Sequence, residues 1–354
     1  MRQTEGARRK LRVLTWHVHG NYLYYLTQTP HDFYLPVGRS THGYAGRAPG
    51  FPWPDNVHEV PVDRVRGLDV DCILFQSASH YVNDQYDVLS ESQRRLPKIY
   101  LEHDPPQRHP TDTRHIVDDP DALLVHVTSF NELMWDSGRT PTRVIEHGVL
   151  TPDGVRYTGE LNRGVVVVNG LQRRGRRLGW DVFERVRRDV PLDLVGMESE
   201  HSGGLGEISH DDLPAFLSRY RFVFNPIRYT SLGLAICEAM ALGIPVVGLA
   251  TTEMVTAVTN HVNGYVHTDV TVLIERMRHL LSHPDEAHRL SRQAYEIGRA
   301  RFGIGRFTQD WDRVLREVVR RGSSAPRGVK RDGECEHERW DADETDDASI
   351  VAGA

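Results

Sequence analysis

Residues 225–247 read Asn-Pro-Ile-Arg-Tyr-Thr-Ser-Leu-Gly-Leu-Ala-Ile-Cys-Glu-Ala-Met-Ala-Leu-Gly-Ile-Pro-Val-Val, and they hold the densest chemistry in the chain. An apolar run, 222–224, delivers the chain to a loop. Thr230 or Ser231 is placed to cap a helix starting near Leu232. The N–H groups of a first helical turn have no helical partner, and the helix dipole adds partial positive charge there. Ser231, Gly233 and Leu234 can therefore cradle a diphosphate without a lysine, and Gly233 lets a ligand approach the backbone closely. Glu238 follows further along the same helix. A carboxylate there can accept hydrogen bonds from two vicinal hydroxyls, such as those of a ribose. Gly243 ends the helix and Pro245-Val246-Val247 opens the next strand.

Three other places carry chemistry. A basic cluster, residues 171–179, follows the apolar run 164–169; Arg173 and Arg177, then Arg174, are the candidates for a diphosphate, because a planar guanidinium binds phosphate oxygens in pairs. A glycine loop with Gly20 and Asn21 follows the run 11–16, and loops at the carboxyl ends of strands are where ligands bind in parallel sheets. His103 and Asp104 end the run 99–101. A lone histidine is usually a packed residue; the strand-end position puts a functional reading level with that one.

These residues need elements to hold them. Apolar runs at 11–16, 72–75, 99–101, 122–127 and 144–145 predict buried strands. A Pro/Gly-rich break at 151–163 follows. The pattern then resumes with strands at 164–169, 192–196, 222–225 and 245–248 and helices at 181–188, 213–220 and 232–242. Alternating strands and helices imply parallel sheets with crossover helices, so the expectation is an α/β chain of two doubly wound domains facing each other. Residues 270–301 are expected to be helical throughout, and 306–320 to form one amphipathic helix with Phe307, Trp311, Val314, Leu315 and Val318 on one face.

Composition excludes several classes. The chain has 354 residues, enough for two domains, and a formal net charge of −6. Eight acids stand against one base in 333–354, so the rest of the chain is near neutral and does not read as a nucleic-acid binder. Residues 322–354 have no apolar pattern and read as a disordered acidic tail. Cys72, Cys237 and Cys335 form no metal-binding or disulfide spacing, which favours a reducing cytoplasm. No apolar run reaches the length of a membrane span. Arg2, Arg8, Arg9, Lys10 and Arg12 make a basic arm with no signal-peptide core behind it. It is expected to be solvated, with peripheral contact to an anionic inner membrane surface as the alternative.

The string at 225–247 resembles the donor-binding signature of the retaining glycosyltransferases of family 4, the glycosyl transferases group 1, which have the GT-B fold. Their pattern has a Glu, seven residues, a second Glu, Ala-Met-Ala, one residue, and Gly-x-Pro-Val-Val. Glu238, Ala239, Met240, Ala241, Gly243, Pro245, Val246 and Val247 match it. The first Glu falls at Thr230, which keeps a hydrogen-bonding group and loses the charge, leaving the donor sugar open. The likeness spans roughly residues 11–320. Ile145, Gly148 and Val149 resemble the element closing the first domain, and 191–198 the strand and glycine turn beside the nucleotide. Residues 208–213 resemble the segment on which the base rests, with the backbone of Ile208 reading it.

The resemblance implies an acceptor-side Rossmann-like domain at 1–155, a nucleotide-sugar-binding Rossmann-like domain at 156–304, and a helix at 305–321 crossing back to the first. It implies a nucleoside-diphosphate sugar as co-substrate, no cofactor or metal, and a glycan or lipid-linked acceptor in polysaccharide, lipopolysaccharide or glycolipid synthesis. His103, Thr230 and Glu238 would stand at the reacting sugar, and Arg173, Arg174 and Arg177 at the diphosphate. Two alternatives remain: an epimerase or phosphorylase on the same scaffold, and a non-catalytic relative that binds a nucleotide sugar or a partner. The scarcity of lysines (Lys10, Lys98, Lys330) argues against a phosphorylase, which needs a cofactor lysine.

Overall fold

The computed structural model describes residues 9–18 and 20–324. Within them the chain forms two wholly parallel sheets. The first has seven strands: β1 (Arg12–Thr15), β2 (Asp32–Val37), β3 (Val57–Pro61), β4 (Cys72–Phe75), β5 (Lys98–Glu102), β6 (Ala122–His126) and β7 (Thr142–Val144), in the order 3-2-1-4-5-6-7. The second has five: β8 (Leu161–Val167), β9 (Leu192–Val195), β10 (Tyr220–Asn225), β11 (Val246–Leu249) and β12 (Gly264–His267), in the order 12-11-10-8-9. The order reverses between β1 and β4 and between β8 and β10. Such reversals open a crevice at the carboxyl ends of the strands.

The α-helices of the first half are α1 (Gly20–Leu26), α2 (Gln85–Val88), α3 (Glu91–Arg94) and α4 (Ser129–Met134). The second half adds α5 (Gly175–Leu178), α6 (Trp180–Val186), α7 (Leu213–Leu217), α8 (Leu234–Ala241), α9 (Met254–Ala257), α10 (Val270–Ser282), α11 (Pro284–Phe302) and α12 (Ile304–Ser324).

Strand side chains alternate between faces, and here both faces are buried. Val13, Cys72, Leu74, Ile99 and Leu101 join one apolar cluster, while Leu14, Ile73, Phe75 and Tyr100 join another on the opposite face. In the second sheet Val165, Val223 and Val246 take the first cluster, and Val166, Phe222 and Val247 a third. The first cluster is therefore common to both halves and includes α8 and α12.

Three strands were not expected. β2 contains Pro36, which removes a ladder donor and masks the pattern. β3 and β12 are edge strands with partly exposed side chains, so neither reads as a buried run. The expected continuous helix at 270–301 is broken at His283, because Pro284 cannot continue α10 but suits the first turn of α11. The last helix is longer than expected at both ends and continues through Ser324, so the tail expected from 322 begins no earlier than 325; residues 325–354 lie outside the described residues.

The expected return of the last helix is seen. Trp311 is fully buried and its Nε1 donates to the Tyr22 hydroxyl of α1 at 3.1 Å. Phe307 packs so closely on Gly148 that any Cβ there would collide with its ring. Where the chain recrosses, Val149 N–H donates to the Phe302 carbonyl at 2.8 Å, and Val149 bridges Gly303, so the outgoing and returning segments lie side by side. Arg301 holds Glu146 (2.8 Å) and Glu253 (2.9 Å) at the same junction.

Of the basic arm, Arg9 pairs with Asp71 at 2.7 Å and Arg12 with Asp69 at 2.9 Å, so both cations are tied to this domain. Arg2 and Arg8 lie outside the described residues. Cys72 and Cys237 are free and buried, and Cys335 lies outside the described residues. No described helix is long and apolar enough to cross a membrane.

Candidate active site in the interdomain cleft

The carboxyl ends of the two sheets face each other across a cavity of about 950 Å³. From the first domain come the loop after β1 with Gly20 and Asn21, Tyr22, a loop spanning 40–51, His103 and Asp104 after β5, and His147. From the second come Asn169 after β8, Arg174, Gly196 and Met197 after β9, Ile208, and the segment from Thr230 to Glu238. Gly20, Asn21, His103, Arg174, Ile208, Thr230, Ser231, Gly233, Leu234 and Glu238 are thus brought together from positions more than 200 residues apart.

Helix α8 is buried on all sides. Its N-cap is Gly233, in extended conformation (φ −64°, ψ 144°), with no side chain capping the first turn. This corrects the expectation that Thr230 or Ser231 caps the helix: the turn starts later, and both hydroxyls lie upstream of it. Both are buried against the cleft. The first-turn N–H groups thus have no side-chain cap, which keeps that end suited to an anion.

Glu238 is 8% exposed and its Oε1 accepts a hydrogen bond from the Tyr25 hydroxyl of α1 at 2.7 Å. Burial raises its carboxyl to about 7, against the opposing pull of the Tyr25 hydroxyl. Burial and the neighbouring Glu238 together raise the Tyr25 phenol well above its usual range. The vicinal-hydroxyl acceptor read from the sequence is therefore paired with Tyr25 across the domain interface.

Thr230 donates to Asp104 Oδ1 at 3.4 Å, again across the interface. Burial, reinforced by Glu102, raises the Asp104 carboxyl to about 6, while Arg177, Arg174 and the Thr230 hydroxyl act the other way. Its backbone is pinned on both sides: Asp104 N–H donates to Glu102 Oε1 (3.0 Å), and its carbonyl accepts from Trp135 Nε1 (2.8 Å). His103 Nε2 meets Gln76 Oε1 at 3.1 Å, and its ring stands edge-on to Tyr22 at 4.8 Å. Burial lowers His147, on the cavity wall, to about 4, so it is neutral at pH 7.

The three arginines separate. Arg174 lines the cavity. Arg177 bonds Gln107 of the first domain and acts on Asp104. Arg173, placed first in the sequence-based ranking, instead pairs with Glu198 at 3.1 Å, with much of its side chain in solvent. The reason is local: Glu198 has a left-handed backbone (φ 63°) just past the turn at Gly196, which presents its carboxylate to Arg173. Gly196 (φ 129°) is itself required, because a Cβ would meet Asn169 Oδ1 at 2.7 Å and the Val168 carbonyl at 2.8 Å.

Two residues at the site were outside the sequence-based candidates. Tyr25 sits in an apolar helix and looks like core. Asp104 was noted beside His103 but given no role, because its partners lie in the other domain. Among the described residues no three His, Cys, Asp or Glu side chains gather as a metal-binding group.

Residues 199–297 match the family model of the glycosyl transferases group 1. The sucrose-phosphate synthase of Thermosynechococcus elongatus has a similar structure, with a TM-score of 0.64 at 16% identity, over 88% of this chain and 100% of that one. A glycosyltransferase from Rickettsia africae ESF-5 gives 0.62 at 13% identity, over 88% and 99%. Anabaena HepE in complex with UDP-glucose gives 0.62 at 16%, over 87% and 100%. No curated protein matches the sequence. The two facing parallel-sheet domains are those of the GT-B fold. With the group 1 domain built around α8, they define the class: the chain is a glycosyltransferase.

Proposed function

We propose that this chain is a retaining glycosyltransferase of family 4. In this reading it moves a sugar from a nucleoside-diphosphate sugar to the hydroxyl of a glycan or lipid-linked acceptor, in polysaccharide, lipopolysaccharide or glycolipid synthesis, in the cytoplasm. The observation that carries it is the juxtaposition, in one cleft, of the α8 N-terminus, Arg174 and Glu238. The nucleoside would place its ribose hydroxyls on Glu238, displacing Tyr25, and its base against the backbone of Ile208. The diphosphate would lie between the α8 N-terminus and Arg174, with Arg177 behind Asp104. Fixed donors aimed at the charge that develops on a leaving diphosphate usually supply the largest share of catalysis, and the scheme invokes no metal. His103 would face the sugar from the other wall, with Gly20 and Asn21 shaping the loop beside it. The acceptor would enter past the 40–51 loop. The structure of HepE with UDP-glucose supports a uridine donor as the first to try.

Calorimetric titration with UDP, GDP and ADP tests the reading. One of them is expected to bind, and binding of none would sink it. A panel of sugar nucleotides, followed by release of free nucleotide and the anomeric configuration of the product, then tests transfer and retention. Binding without nucleotide release would favour the non-catalytic alternative.

A further inference from the structure

The wall that should present two carboxylates presents one. At position 230 a threonine offers one O–H and its lone pairs but no charge, and so cannot replace a carboxylate that accepts from two sugar hydroxyls at once. Yet a carboxylate stands at that spot. Asp104 reaches it from the opposite domain, with Oδ1 3.4 Å from the Thr230 hydroxyl, and both residues line the cavity beside His103. The backbone of Asp104 is held on both sides, with its N–H and carbonyl both engaged, and its carboxylate is met by the Thr230 hydroxyl. Arg177 and Arg174 favour its charged form, and Glu102 opposes it. A glutamate at 230 would face Asp104 as a like charge, and like charges at such range disfavour each other. The threonine is the residue type that lets an aspartate occupy this place and also orients it by donating to it.

We propose that Asp104 is the specificity-determining carboxylate for the donor sugar, accepting hydrogen bonds from hydroxyls of the transferred sugar while Thr230 holds it in place. The inference rests on the nucleotide-sugar reading above. It assigns sugar recognition to the first domain and nucleotide recognition to the second, and it makes residues 104 and 230 exchangeable as a pair but not singly.

The test compares a nucleoside diphosphate with its sugar conjugate, using UDP against UDP-glucose and GDP against GDP-mannose, by calorimetry on the full chain. Asp104→Asn, nearly isosteric and checked for folding by its melting temperature, is expected to weaken the sugar nucleotide about tenfold or more and the bare diphosphate by less than about threefold. Thr230→Glu alone is expected to weaken the sugar nucleotide too, by setting two carboxylates against each other. The double variant Asp104→Asn/Thr230→Glu is expected to recover most of the loss. Equal weakening of both ligands by Asp104→Asn, no weakening of either, or a double variant no better than Asp104→Asn would each overturn the proposal while leaving the nucleotide-sugar reading of the unaltered protein standing. Failure of the unaltered protein to bind UDP, GDP or ADP, bare or as a sugar conjugate, would instead remove the nucleotide-sugar reading, and this inference with it.

Discussion

Glu238 and Asp104 sit at two places in one cleft, and each is held by a hydroxyl from the other domain. Glu238, on a helix of the second domain, takes the Tyr25 hydroxyl of the first; Asp104, on a strand end of the first, takes the Thr230 hydroxyl of the second. Both carboxyls are raised, to about 7 and about 6, but for different reasons. Glu238 has burial against it and only a phenol in its favour. Asp104 has burial and Glu102 against it, and two arginines for it. One carboxylate is therefore set by its apolar housing, and the other by a balance of charges that an incoming diphosphate would disturb. A signature motif marks the first kind well and the second poorly.

The comparison breaks most readily at Glu238. Replacing it with Gln keeps the shape and would remove the charge-assisted bonds to ribose hydroxyls that the proposed function assigns to it, so nucleotide affinity should fall about tenfold to a hundredfold by calorimetry. A variant that binds as before would place the ribose elsewhere. Next comes the arginine order. Arg174→Ala should raise the donor KM about tenfold or more, whereas Arg173→Ala should change it by less than about threefold, because Arg173 is engaged with exposed Glu198. Steady-state kinetics showing the reverse order would return the diphosphate to Arg173.

Smaller effects sharpen the contrast. Tyr25→Phe removes the hydroxyl that donates to Glu238 Oε1, so nucleotide should bind a few-fold tighter, in line with one net hydrogen bond. Weaker binding would mean that Tyr25 contacts the nucleotide itself. Last is pH. Both carboxyls hold a proton more tightly in the folded chain than ordinary carboxyls do, so between about pH 4 and pH 7 the folded state binds more protons than the unfolded one. The stability these two groups contribute then falls as pH rises through that window. Melting curves from pH 4.5 to 7.5 should show a shallower downward slope, or a rising one, when Glu238→Gln and Asp104→Asn are combined. An unchanged slope would show that neither carboxyl is raised.

The sequence carried the scaffold because the scaffold is local. The run 72–75 coincides with β4, and the runs at 122–127 and 222–225 differ from β6 and β10 by no more than two residues at an end, since each is a continuous apolar stretch buried on both faces. Edge strands β3 and β12 lack that signature. The matched string at 234–247 located α8 and Glu238 because the helix, its closing glycine and the next strand are contiguous. What was not legible depends on two domains meeting. Asp104 and Thr230 are 126 residues apart, and Tyr25 and Glu238 are 213 apart. No periodicity links such positions. The cap differs for another reason: Thr and Ser are good caps by type, but the helix starts only after Gly233, so both hydroxyls lie upstream of it against the cleft.

The chain passes between the domains twice, and the two passages are tied by the bond from Val149 to Phe302. Two adjacent attachments along one edge act as the pintle of a door rather than as a ball joint: they permit swing and resist twist and slide. Tyr25 and Glu238 lie against one of these passages, sharing a pocket with residues 150–153, whereas Asp104 and Thr230 join the domains across the larger cavity.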